Sequence, residues 1–210
     1  MDPQTIAAAY TSFVLEQGKR PVSVFSFMKS LDAPETDFYA HYSSFSGLEK
    51  SIFKGFLEEA VASLVASEEY KTYGTPEKLA GLLFTWIQVM TPQRSFVSFL
   101  AKHASYPFLS LEPDYLQATR DPFQAFVRKV IKSGVESGEV ADRIFVTKYY
   151  KNAFWGQARF VLNYWLNDDS NGFERTDAAI EKSLRFFYDL IQPNALDSGF
   201  DLFRFLVMKQ

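Results

Sequence analysis

The sequence contains no cysteine, which excludes disulfides, thiolate metal sites, iron–sulfur clusters and thiol nucleophiles. Histidine is nearly absent too. With His41 and His103 the only two, a multi-histidine metal centre has no ligands to draw on. Apolar runs long enough to span a bilayer are missing, as are Asn-X-Ser/Thr sequons and a basic-then-apolar leader at the start. The expectation from these absences is a cytoplasmic protein. Positive charge is not in excess either: 22 Lys and Arg stand against 25 Asp and Glu, a net charge of −3. Any attraction to nucleic acid therefore has to be local. No Gly-rich phosphate loop, nucleophile elbow or paired catalytic motif occurs, so no enzyme, catalytic residue, metal or cofactor is expected.

Aromatic side chains are abundant by contrast. The chain carries 22 Phe, 11 Tyr and 3 Trp in 210 residues, enough to fill a core and line a cavity. Apolar spacings of three and four recur along the chain and strand-like alternation does not, so the fold class is read as all-α. Residues 4–17 align Ile6, Ala9, Tyr10, Phe13 and Val14 on one face, and Gly18 ends that helix. Short helices follow at 22–31 and from Pro34, which suits a first helical position because its missing N–H has no intrahelical partner. Longer helices are expected at about 45–69, 76–90, 92–103, 122–137, 142–167 and 173–191. Residues 195–208 read as a last amphipathic helix, and 104–122, with three prolines, as the least regular stretch.

Three short helices within 45 residues, the last two joined by a tight turn, have the arithmetic of a helix-turn-helix. The residues are more specific than the count. Ser23-Val24 opens the second helix, Phe38-Tyr39-Ala40-His41-Tyr42 closes the third, and Ser44 and Leu48 lead into the fourth. This pattern resembles the DNA-binding domain of the TetR family of bacterial transcriptional regulators. The resemblance implies a helix-turn-helix domain over 1–46 and a helical ligand-binding and dimerisation domain over 47–210. It also implies duplex DNA as partner, with Lys29, Thr36, Tyr39, His41, Ser44 and Lys50 as contacts. Departures fall where DNA is touched: Asp32 replaces the turn glycine, Pro34 the serine after it, Thr36-Asp37 a Gly-Thr pair, and Phe45 a lysine. Residues 1–60 hold five basic and eight acidic groups, so Glu35 and Asp37 either repel phosphate or simply suit the helix start.

In the second half, the expected helices 142–167 and 173–191 match in position the pair that forms the family's dimeric four-helix bundle. They carry Phe154, Trp155, Phe160, Val161, Leu162, Trp165, Ile180, Leu184, Phe187 and Leu190, and a homodimer is the economical way to cover so many apolar groups. Asp169, Ser170, Phe173 and Thr176 are also similar to a loop of the TetR-like lipid-binding accessory proteins of ubiquinone biosynthesis. Asn167, Asp169, Asn171 and Gly172 imitate a calcium loop, but Ala178 stands where its bidentate glutamate is needed, so calcium is rejected. Arg159, the single charge in an apolar stretch, is a candidate anchor for a ligand carboxylate or phosphate, with Phe154, Trp86, Gln88 and His103 as further pocket candidates. The leading expectation is a one-component regulator that binds DNA and an apolar small molecule. The alternative is a TetR-like protein that binds lipid or isoprenoid and no longer reads DNA.

Overall fold

The computed structural model describes residues 1–106, 112–143 and 147–193, and the expected helix 195–208 lies outside them. Among the described residues there is no strand, and the elements run α1 (Pro3–Gln17), α2 (Val24–Ser30), α3 (Glu35–Tyr39), α4 (Phe45–Ala66), α5 (Thr75–Met90), α6 (Arg94–Lys102), α7 (Gln117–Ser137), α8 (Tyr150–Leu166) and α9 (Glu174–Ile191). The chain divides into two compact units, residues 1–61 with 86–122 and residues 62–85 with 123–210.

Local sequence explains most of the boundaries in the first unit. Asp2 accepts from Thr5 N at 2.9 Å to cap α1, and Pro3 follows at the first helical position. Gly18 closes α1 at φ 64°, its N–H donating to Val14 O, in a left-handed conformation that suits glycine. Ser23 and Ser26 cap each other reciprocally at the start of α2. Around these ends an aromatic core forms: Tyr10 stacks on Phe45 with centroids 5.2 Å apart and meets Phe27 edge-on at 5.9 Å. Phe53 packs against Trp86 and Tyr115, at 5.8 and 4.9 Å.

Helix α7 starts at Gln117, five residues before the expected Pro122. Proline forgoes one ladder bond there, but a 3-10 turn over Asp114–Leu116 leads in and buries Tyr115 and Leu116, so packing outweighs local propensity.

The second unit shows a larger displacement. Helix α8 starts at Tyr150, not 142, because residues 141–143 close the end of α9. Ala141 N donates to Ile191 O at 2.9 Å, and the Arg143 guanidinium donates to the carbonyls of Leu190 and Gln192 and to the Tyr150 hydroxyl. A cation on the last carbonyls of a helix satisfies groups that have no intrahelical donor. At the opposite end of α9, the Asp168 carboxylate accepts from the backbone and hydroxyl of both Ser170 and Thr176, at 2.6–2.9 Å. Burial raises the Asp168 pKa, yet these four donors outweigh it and hold the carboxyl well below the usual range. The loop that imitates a calcium site is therefore the cap of α9, and among the described residues no cluster of three acidic or imidazole side chains is placed to hold a metal.

Candidate functional site

The helix-turn-helix is built by α2 and α3. Helix α2 ends in a Schellman arrangement: Ala33 N donates to Met28 O at 3.1 Å and Asp32 N to Lys29 O at 3.2 Å. Asp32 adopts φ 51°, so an aspartate takes the left-handed turn position, one of the few side chains that tolerate it. Phe27, Met28 and Phe38 are buried, which fixes α3 against α2 and turns its opposite face outward. On that face Thr36 is exposed and Tyr39 is 54% exposed.

The other expected DNA contacts are partly engaged. His41 Nε2 lies 3.2 Å from Met1 O, and the Ser44 hydroxyl accepts from Gly47 N at 3.1 Å at the start of α4. Lys50 Nζ donates to Gln117 Oε1 at 3.0 Å, and Lys29 Nζ sits 5.9 Å above the Phe25 ring. Asp37, in the first turn of α3, pairs with the Met1 amine at 2.5 Å.

Two features of this unit escaped the sequence reading. Val22 and Phe25 are 93% and 60% exposed at the start of α2, and Phe25 lines a groove of about 500 Å³ with Lys29, Pro34 and Thr36. The helical spacing contained the signal, since Phe25 stands off the buried Phe27–Met28 stripe. The second is a buried ionic cluster. Arg20 Nε and one terminal nitrogen each donate to Glu49 at 2.8 Å, and the Tyr10 hydroxyl donates to Glu49 at 2.5 Å. Glu49 is 2% exposed, so its charge is stable there only because three donors meet it. Burial, then the neighbouring carboxylate, pushes the Tyr10 hydroxyl well above its ordinary pKa. Residues 29 and 39 positions apart form this cluster, and periodicity has no access to such pairs.

The second unit holds a cavity of about 350 Å³ between α5, α8 and α9. Its apolar lining includes Leu79, Ala80, Phe84, Phe154 and Leu184, and Glu77, Glu181, Arg185 and Tyr188 add polar groups. Burial, then the carboxylates of Glu139 and Glu77, raises the Tyr188 pKa. Of the five ligand candidates, Phe154 lines this cavity. Arg159 is half-buried on α8 and outside the lining. Trp86, Gln88 and His103 belong to the first unit, where Trp86 is core, Gln88 is exposed and His103 stacks on Phe99 at 4.3 Å.

The apolar groups expected at a dimer seam divide by burial. Phe154, Trp155, Val161, Leu162, Trp165, Ile180 and Leu184 are buried within the protomer. Helices α8 and α9 instead expose Phe160, Tyr164, Phe186 and Leu190, and the first three line a shallow hollow of about 500 Å³ with Ala178 and Ala179.

Residues 78–206 match the family model described as the tetracyclin repressor-like C-terminal domain. The chain belongs to this TetR-like family. No curated protein matches it. Solved structures give the same fold over most of the TetR-like chain. A Shewanella sp. PV-4 protein assigned to the TetR family transcription regulators superposes with TM-score 0.60 at 16% identity, covering 91% of this chain and 98% of that one. PfmR, a TetR family transcriptional regulator from Thermus thermophilus, gives 0.52 at 17% identity, covering 86% and 97%. The ketosteroid transcriptional regulator KstR2 of Mycobacterium tuberculosis gives 0.52 at 13% identity, covering 91% and 95%. Among the described residues of this TetR-like chain, no helix is long and apolar enough to cross a membrane.

Proposed function

We propose that the protein is a dimeric, ligand-responsive DNA-binding regulator. The observation that carries this reading is the intact α2–turn–α3 geometry. Phe38 anchors α3 while Thr36 and Tyr39 point to solvent, as a reader helix requires. The exposed Phe160, Tyr164 and Phe186 supply a self-complementary face for a twofold partner. The 350 Å³ cavity in the second unit is of a size for a small apolar molecule. Such a ligand acts on DNA affinity only through a difference in its own affinity for two arrangements of the dimer. Selection of genomic fragments by the full-length protein at about 50 mM salt tests the reading, because non-specific attraction is greatest there. Enrichment of one or a few fragments, lost in Tyr39→Ala, is the expected result. No enrichment contradicts it.

A second reading rests on a specific observation. Glu35 and Asp37 on α3, with Phe25 exposed beside it, describe a helix-turn-helix that no longer reads DNA in a lipid- or isoprenoid-binding protein. Mass spectrometry of an apolar molecule co-purified with the protein, together with flat DNA binding, supports this alternative.

A further inference from the structure

The DNA-facing unit has an unusual supply of charge. Residues 1–44 contain three basic side chains, Lys19, Arg20 and Lys29, against five acidic ones, Asp2, Glu16, Asp32, Glu35 and Asp37. Arg20 is committed to the buried Glu49, and Lys29 lies over the Phe25 ring. Lys50, just beyond, is bonded to Gln117, and Lys54 is paired with Glu58 at 2.7 Å. Phosphate neutralisation, the usual source of affinity for any duplex, is therefore weak on this face. In its place the face offers apolar contact: Phe25 on α2 shares a groove with Thr36, and Thr36 shares the outer face of α3 with Tyr39, one turn further on.

We infer that this unit recognises its DNA mainly through thymine methyl groups in the major groove, met by Phe25, Thr36 and Tyr39, with few phosphate contacts. The inference rests on the DNA-binding reading above and specifies what that site takes. Thymine alone presents a methyl group in the major groove, and apolar side chains are the groups that gain by covering it. The carboxylates of Asp32 and Glu35 sharpen the choice. They oppose approach to any phosphate backbone, so a duplex without correctly placed methyls has nothing to offset that cost. The consequence is a reader with little non-specific binding and a shallow dependence on salt.

The magnitude follows from the charges. Lys19, Lys29 and Lys50 from each protomer give about six neutralised phosphates for a dimer, since the neutral Gln117 amide leaves the Lys50 charge in place, hence a slope of log K against log salt of about −5 or shallower. A conventional set of 8–10 contacts gives about −7 to −9. Each thymine methyl covered by an apolar side chain contributes about fourfold in affinity.

The test uses the full-length protein and a duplex enriched by it from a random-sequence pool at about 50 mM salt. Affinity is measured from about 50 to 200 mM salt, and again with each half-site thymine replaced by uracil, which removes only the methyl. Expected are a slope of about −5 or shallower and a loss of about fourfold at each contacted thymine. Phe25→Ala should abolish the uracil effect at the thymines that Phe25 meets, and Glu35→Gln should raise affinity for an unselected duplex. A slope of −7 or steeper with uracil and thymine equivalent overturns the inference while leaving DNA binding in place. Failure to enrich any duplex overturns both the inference and the reading it rests on.

Discussion

Replacing Arg20 by alanine isolates one buried charge. Glu49 is 2% exposed and is met by the Arg20 fork at 2.8 Å on each oxygen and by the Tyr10 hydroxyl. Removing one partner of a buried pair costs about 3–5 kcal/mol, because the other charge is left without compensation. Arg20 itself is 34% exposed, so water reaches the site and screening lowers the cost to about 2 kcal/mol. For a chain of this length that corresponds to a fall of about 4–8 °C in Tm. Circular dichroism during heating, with urea unfolding at neutral pH, measures both quantities. The double variant Arg20→Ala with Glu49→Gln should regain about half of the loss, since a neutral amide still accepts from Tyr10 and needs no counter-charge. An Arg20→Ala protein melting within about 1 °C of the parent refutes the reasoning. So does a double variant whose loss is the simple sum of the two single ones.

Asp168 gives a pH-dependent test. Its folded-state pKa is depressed, so its stabilising effect is present above the unfolded value of about 3.9 and disappears as pH falls through the folded value. The Tm gap between the parent and Asp168→Asn should be widest near neutral pH and should close in acid; a gap independent of pH contradicts this. Phe186→Glu, a charge placed at a residue 61% exposed in the protomer, should halve the mass measured by light scattering from twice 24.1 kDa to 24.1 kDa. An unchanged mass removes the α8–α9 face from the dimer. Ala80→Trp should fill much of the 350 Å³ cavity and weaken binding of the neutral fluorophore N-phenyl-1-naphthylamine at least tenfold; equal binding places the ligand elsewhere.

The legibility of this molecule in its sequence follows the range of the interactions. Helix ends set by near neighbours were readable, as with Gly18 after α1 and the Ser23 cap of α2, and Pro34, expected as the first residue of α3, stands one place before it in extended conformation. The Schellman turn was half readable, since Asp32 was placed at the turn but its positive φ follows from bonds back to Met28 and Lys29. Ends set by distant groups were not. The late start of α8 depends on residues 141–143 closing α9, some 50 positions along the chain, and the early start of α7 depends on Tyr115 meeting Phe53. Burial of the α8 and α9 aromatics follows the same logic. Composition counted them as more than one domain hides, and side-by-side packing of α8 and α9, with Phe154 on Phe187 at 5.6 Å, hides most of them. Within the candidate sites, Thr36 and Tyr39 were singled out from their motif and are exposed on α3, whereas Glu77, Glu181 and Tyr188 join Phe154 at one cavity only through tertiary packing.

Hydroxyl-radical footprinting of the selected duplex probes most directly whether paired α3 helices of a twofold dimer read DNA. Two protected patches related by a dyad, with centres one helical turn or a whole number of turns apart, are expected, and Tyr39→Ala should erase both. A single patch without a dyad, or uniform cleavage at every protein concentration, contradicts the account.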